Sequence, residues 1–123
     1  EVIRASKILK SNRMSNKSRC LQREIEKYVK NNIKTANLDE LAVQLGYSTV
    51  YTGTLVKKLT GESFTQYLQK KRCDIATNKL FHSDLSIGEI IRDVGYENET
   101  YFRKIFKEIH GENPLEFRKR KHN

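Results

Sequence analysis

The side chains best suited to metal ligation or nucleophilic chemistry in this chain are three histidines, His82, His110 and His122, and two cysteines, Cys20 and Cys73. No two histidines stand at metal-ligand spacing, and none is grouped with acids on one expected helix face. Two thiols far apart in sequence support neither a zinc site nor a disulfide framework, and they fit a reducing cytosol. No glycine-rich phosphate loop, nucleophile elbow or paired-carboxylate arrangement is present. The chain is therefore not expected to be an enzyme, and no cofactor or metal is expected. Its ionisable groups are suited instead to holding a polyanion. Lys and Arg total 24 against 15 Asp and Glu, a formal charge of +9 with a pI near 9.6. Such an excess selects nucleic acid or an anionic membrane surface as partner. No apolar run approaches the ~18 residues of a membrane-spanning helix, no secretory signal is expected, and a cytoplasmic location follows.

The scaffold that must carry these charges is written twice. Leu38-x-x-Leu41-Ala42-x-x-Leu45-Gly46-Tyr47 recurs 49 positions later as Ile87-x-x-Ile90-Ile91-x-x-Val94-Gly95-Tyr96. At an offset of 50, Tyr51 answers Tyr101, Leu55 answers Ile105, Val56 answers Phe106 and Lys57 answers Lys107. Gly61-Glu62 and Gly111-Glu112 close the copies, trailed by Tyr67 and Phe117. Self-similarity at a fixed period marks one supersecondary unit used twice. The one-residue slip falls just after Gly-Tyr, where a turn absorbs an insertion without moving an apolar stripe.

Helical spacing dominates from Arg19 onward. Leu21, Ile25, Tyr28, Val29 and Ile33 mark one face of a first helix. Asn37 caps a short helix presenting Leu41, Ala42 and Leu45 and stopping at Gly46. Ser48 caps a third, with Tyr51, Leu55, Val56 and Leu59 inward and Gly61 at its end. A long helix from Ser63 to about His82 turns Phe64, Tyr67, Leu68, Ile75, Ala76, Leu80 and Phe81 inward. Ser86 caps a helix ending at Gly95, and Asn98 starts one with Tyr101, Phe102, Ile105, Phe106 and Ile109 inward. Pro114 suits the first turn of a last short helix through Phe117. The expected fold is all-α, about seven helices, with two helix-turn-helix units (about 38–60 and 86–110) joined by a long linker helix (about 63–82). At 123 residues this is one modest domain or two very small ones sharing a core. Residues 1–18 read as a linker or the end of an upstream domain, with one weak apolar stripe on Val2, Ala5, Ile8 and Leu9. The bipartite unit then occupies 19–123. Glu1, rather than Met, at the start reads as the excised end of a longer protein.

Paired helix-turn-helix units in a basic chain point to duplex DNA, because the unit presents a helix to the major groove. Gly95-Tyr96-x-x-x-x-Tyr101-Phe102-x-x-x-Phe106-Lys107-x-x-x-Gly111-x-x-Pro114-x-x-Phe117-Arg118 resembles the C-terminal motif of the AraC/XylS-type transcriptional regulators. Leu41-Ala42-x-x-Leu45-Gly46-Tyr47-Ser48-x-x-Tyr51, Lys57-Lys58-x-x-Gly61-x-Ser63-Phe64-x-x-Tyr67 and Arg72-x-x-x-Ala76 are similar to its earlier part. The resemblance covers about residues 21–120. It implies a bipartite DNA-binding domain whose third and sixth helices enter adjacent major grooves, commonly behind a sensor or dimerisation domain, with RNA polymerase as a further partner. It implies base contacts from Glu99, Thr100, Arg103 and Lys104 in the second unit. Arg103 is suited to guanine, Thr100 to a thymine methyl and Glu99 to cytosine N4, although Glu99 can instead pair with Arg103 at i+4. Phosphate contacts are expected from Ser48, Thr49, Lys57, Asn98 and Lys107, with Lys58, Lys70, Lys71 and Arg118 to Lys121 as weaker candidates. Arg72 and Ala76 are expected to pack the linker helix against both units.

The first unit departs from the family pattern. Its base-reading positions are Val50, Gly53 and Thr54, where longer polar or basic side chains are usual, and Thr52 and Val56 replace a common Leu and Phe. Gly53 inside a helix costs roughly 1 kcal/mol relative to Ala. The expectation is that this unit reads DNA by close backbone approach, a thymine-methyl contact at Val50 and phosphate contacts, leaving most base specificity to the sixth helix. Two rivals remain open: a helical protein-interaction module that has lost DNA binding, and a standalone monomeric regulator.

Overall fold

Ser and Asn at regular intervals decide where the helices start. The computed structural model describes residues 15–122, so the stripe on Val2, Ala5, Ile8 and Leu9 lies outside the described residues. Seven helices follow among them: α1 Asn16–Asn31, α2 Leu38–Leu45, α3 Thr49–Thr60, α4 Phe64–His82, α5 Ile87–Asp93, α6 Glu99–His110 and α7 Pro114–His122, with no strand. The side chains of Ser15, Asn37, Ser48, Ser63, Ser86 and Asn98 each accept the backbone N–H three residues on. Each thereby satisfies one of the donors a helix start leaves open. At Ser63, Ser86 and Asn113 the box is reciprocal, with Gln66, Glu89 and Glu116 reaching back to the cap N–H. The Ser86 N–H holds the Glu89 carboxyl below its ordinary range. α1 starts at Asn16, three residues before Arg19, and α7 runs past Phe117 to His122.

The repeat is visible in the turns. Tyr47 N–H donates to Ala42 O at 3.0 Å, and Tyr96 N–H donates to Ile91 O at 3.1 Å, 49 residues later. Two separate cores are built around them. Ile25, Tyr28, Val29, Leu41, Leu55, Val56, Leu59, Phe64, Tyr67 and Leu68 form the first. Cys73, Ala76, Leu80, Ile90, Ile91, Val94, Phe102, Ile105, Phe106 and Phe117 form the second. α4 belongs to both. Its residues 64, 67 and 68 and its residues 73, 76 and 80 lie on roughly opposite faces at 100° per residue. The helix therefore closes the first unit with one face and opens the second with the other.

Several inward assignments need correction. The buried stripes of α3 and α6 begin at Thr52 and Phe102, so Tyr51 and Tyr101 are half-exposed. Their rings lean on Tyr47 and Tyr96, at 5.0 and 6.1 Å, and the Tyr101 hydroxyl accepts from Gln69 Nε2 of α4 at 3.3 Å. Phe81 is likewise half-exposed with its ring edge-on to His82, whereas Cys73 is fully buried. Burial pushes the Cys73 thiol up to about 12. Thr52 is fully buried where the second copy has Phe102, and its hydroxyl donates to Ser48 O at 2.7 Å.

Arg72 sits where α4 changes cores. Its Nε donates to Ile33 O at 2.9 Å and its Nη2 to Lys34 O at 3.3 Å, both in the α1–α2 turn. Its guanidinium also lies 5.1 Å from the Tyr96 ring centroid, in the second unit. Arg118 makes a similar bracket on α7, donating to Leu80 O and Ser83 O at the end of α4. The Arg72 bracket leaves no space beside Gly95, which has φ +105; a Cβ there lies 2.8 Å from both Arg72 Nη2 and Lys34 O. Gly111 has φ +82 but nothing within 4 Å of such a Cβ. Gly95→Ala is therefore expected to cost about 2–4 kcal/mol, from backbone strain plus the displaced guanidinium, and Gly111→Ala only ~1 kcal/mol, from strain alone. Urea unfolding midpoints of the two variants check the difference.

Candidate nucleic-acid interface

α3 and α6 are the outer helices of the two units, each held from beneath by a short partner, α2 or α5, and by α4. On α3, Val50 is 83% exposed, and Thr54 is exposed with its hydroxyl donating to Val50 O at 3.2 Å. Gly53 is half-buried on the flank that faces α2, where a Cβ would stand 3.3 Å from Leu38 Cδ2. Its missing side chain thus serves helix crossing as well as any outside contact. Thr49 donates its hydroxyl to Asp39 Oδ1 at 2.9 Å, which ties the start of α3 to α2.

On α6, Thr100 and Lys104 are exposed and Arg103 is half-buried. Glu99 lies between two arginines, 3.3 Å from Arg103 Nη2 and 3.4 Å from Arg92 Nη1. The i+4 pairing foreseen for Glu99 is present, and Arg92 of α5 joins it. Ser48 and Asn98 accept the N–H of Tyr51 and Tyr101 at 3.1 and 2.9 Å. Capping uses only their acceptor oxygens, leaving a hydroxyl proton and a carboxamide NH2 as donors. Lys57 and Lys107 are exposed in the last turns of α3 and α6.

The weaker phosphate candidates are mostly occupied within the fold. Lys70 pairs with Glu62 at 2.7 Å, Lys71 lies over the Tyr67 ring, Arg118 brackets α4, and Arg120 pairs with Glu112. Sequence reasoning missed Arg92, Gly88 and Val43, the last 80% exposed on α2. The signal was in the repeat, which pairs Val43 with Arg92 and Asp39 with Gly88 between otherwise matching residues. Among the described residues no group of His, Cys, Asp and Glu could hold a metal ion, and no helix is long and apolar enough to cross a membrane.

Known proteins carry the same arrangement. A family model described as a helix-turn-helix domain matches residues 41–120. The chain is 31% identical over 97 residues to an uncharacterised HTH-type transcriptional regulator, YisR, of Bacillus subtilis (strain 168), covering 78% of this chain and 34% of that protein. The chain spans about a third or less of the length of the first curated relatives it matches. The C-terminal domain of AraT, a response regulator from Geobacillus stearothermophilus, is similar with a TM-score of 0.73 at 31% identity, over 89% of this chain and 88% of that one. The DNA-binding domain of AdpA, a global transcriptional factor solved with a target DNA, shares the fold at 22% identity and a TM-score of 0.74, over 81% and 90% of the two chains. With its doubled unit, linker helix and sequence match together, this chain belongs to the AraC-type helix-turn-helix family of transcriptional regulators.

Proposed function

We propose that this chain is the sequence-specific, double-stranded-DNA-binding part of a longer effector-controlled regulator, and that it lays α3 and α6 into adjacent major grooves. The observation that carries this reading is the locking of two helix-turn-helix units onto one helix by Arg72. α4 has 19 residues, about 28 Å, close to the ~34 Å turn of B-DNA that separates successive major-groove faces. Arg103 offers a bidentate grip on guanine, Thr100 a contact to a thymine methyl and Lys104 a further base-edge donor. Glu99, already bonded to Arg92 through one oxygen and Arg103 through the other, offers a cytosine N4 only the remaining lone pairs. In the first unit Val50 suits a thymine methyl, Gly53 a close backbone approach and Thr54 a polar base edge. Phosphates are taken by Ser48, Thr49, Lys57, Asn98 and Lys107. An upstream sensor or dimerisation domain, contact with RNA polymerase, a cytoplasmic location and the absence of catalysis complete the reading.

A second reading, a helical protein-interaction module, is favoured by the exposure of Val43 and Val50, and it predicts no retardation of any duplex. Selection of bound sites from a random duplex pool tests the first reading, which expects two blocks about 10 base pairs apart. With about six phosphates neutralised, log affinity is expected to fall against log salt with a slope of roughly −5. A flat response in a titration from low to physiological salt contradicts DNA as the partner. Arg103→Ala is expected to relax preference at one base pair of the second block by roughly tenfold to a hundredfold, read by footprinting on matched and mismatched sites. Arg72→Lys keeps the charge but not the bracketing geometry. It is expected to weaken binding to a two-block duplex by about tenfold while leaving single-block binding unchanged, as measured by fluorescence anisotropy.

A further inference from the structure

The Arg92, Glu99 and Arg103 side chains form a continuous ionic trio that joins α5 to α6. Aligned on the repeat, the three positions are Val43, Thr49 and Gly53 in the first unit, so every member is absent there. A fourth position changes with them. Gly88 stands where the first unit has Asp39, and a Cβ at Gly88 would lie 3.0 Å from Glu99 Oε2 and 3.6 Å from Arg92 Nη1. In the first unit a carboxylate on α2 meets a hydroxyl on α3, Asp39 with Thr49. In the second the carboxylate has moved to α6, and α5 has a notch in front of it.

The trio does little for stability. Its side chains are 59%, 40% and 42% exposed for Arg92, Glu99 and Arg103, and ion pairs so open to water contribute little to folding. A role at the outer surface accounts for it better. An arginine on an exposed helix face samples many rotamers, whereas bidentate reading of guanine needs its guanidinium plane held in one orientation. Glu99, one turn before Arg103, is placed to hold it, in the order of acid before base that suits a helix. Arg92 holds Glu99 from the neighbouring helix, and the Gly88 notch admits the carboxylate.

We infer that Glu99 is a positioning residue rather than a base reader: anchored by Arg92 across the Gly88 notch, it fixes Arg103 for one base pair of the second block and makes Arg92 a specificity determinant. This rests on the DNA-binding reading above. The test measures relative affinities of the wild-type chain, Glu99→Gln, Arg103→Ala, the double variant and Gly88→Asp, over a panel of duplexes varied one base pair at a time. Far-UV circular dichroism verifies that each is folded. Glu99→Gln and Arg103→Ala are expected to relax the same base pair by roughly tenfold or more, and the double variant to lose nothing beyond Arg103→Ala. Glu99→Gln is also expected to bind random duplex more tightly, having one fewer negative charge facing phosphates. Gly88→Asp keeps all three ionic side chains but fills the notch, and is expected to relax that same pair. If Glu99→Gln relaxes a different base pair, Glu99 reads a base itself and the inference fails. It fails too if Glu99→Gln or Gly88→Asp changes no preference. A wild-type chain without preference for any duplex refutes the DNA-binding reading, and the trio's role with it.

Discussion

The Arg72 guanidinium bridges the two halves of this molecule. Arg72 donates to two carbonyls that end the first helix's turn and lies against the Tyr96 ring of the second unit. The bonds are to backbone oxygens that α1 and α2 leave without helical partners, and hydrogen bonds from a charged donor are stronger than neutral ones. The bracket stands where α4 passes from one core to the other, between Leu68 and Cys73. A hinge at that point would let two small units tumble independently. Arg72 ties the turn before α2 to the turn after α5, and with the Gln69–Tyr101 hydrogen bond and the stiffness of α4 it sets the placement of α3 relative to α6.

Around this joint, the two copies spend their similarity on packing and their differences on the outside. Leu41, Leu55 and Val56 answer Ile90, Ile105 and Phe106 in the two cores. The exposed positions diverge: Val43, Thr49, Val50, Gly53 and Thr54 stand opposite Arg92, Glu99, Thr100, Arg103 and Lys104. A duplicated frame whose buried residues must fit can change its surface freely, since exposed substitutions alter stability little. The family frame and the local surface are therefore separate properties of the sequence.

Much of this was legible before the structure. The capping residues and the glycines located the helices because each has a local backbone cause that needs no partner. The shared helix and the structural role of Arg72 followed from the motif. The reading failed where tertiary context decides. Tyr51 and Tyr101 look inward by spacing, yet the buried stripes start one residue later, at Thr52 and Phe102. A threonine in that position reads as surface on composition alone, and its burial depends on a hydroxyl bond to Ser48 O that no sequence pattern displays. Arg92 was missed because it lies outside the outer helix, and only the contact with Glu99 across two helices brings it in.

The sharing of α4 has a consequence for how the molecule holds together. No cut through the chain separates a complete first unit from a complete second one, because Phe64, Tyr67 and Leu68 close one core on the same helix whose Cys73, Ala76 and Leu80 open the other. Cooperative unfolding therefore belongs to the pair, whereas the surface offered to a duplex is divided between the halves. Selection can then alter what one half reads without dissolving the other, provided the common helix stays intact.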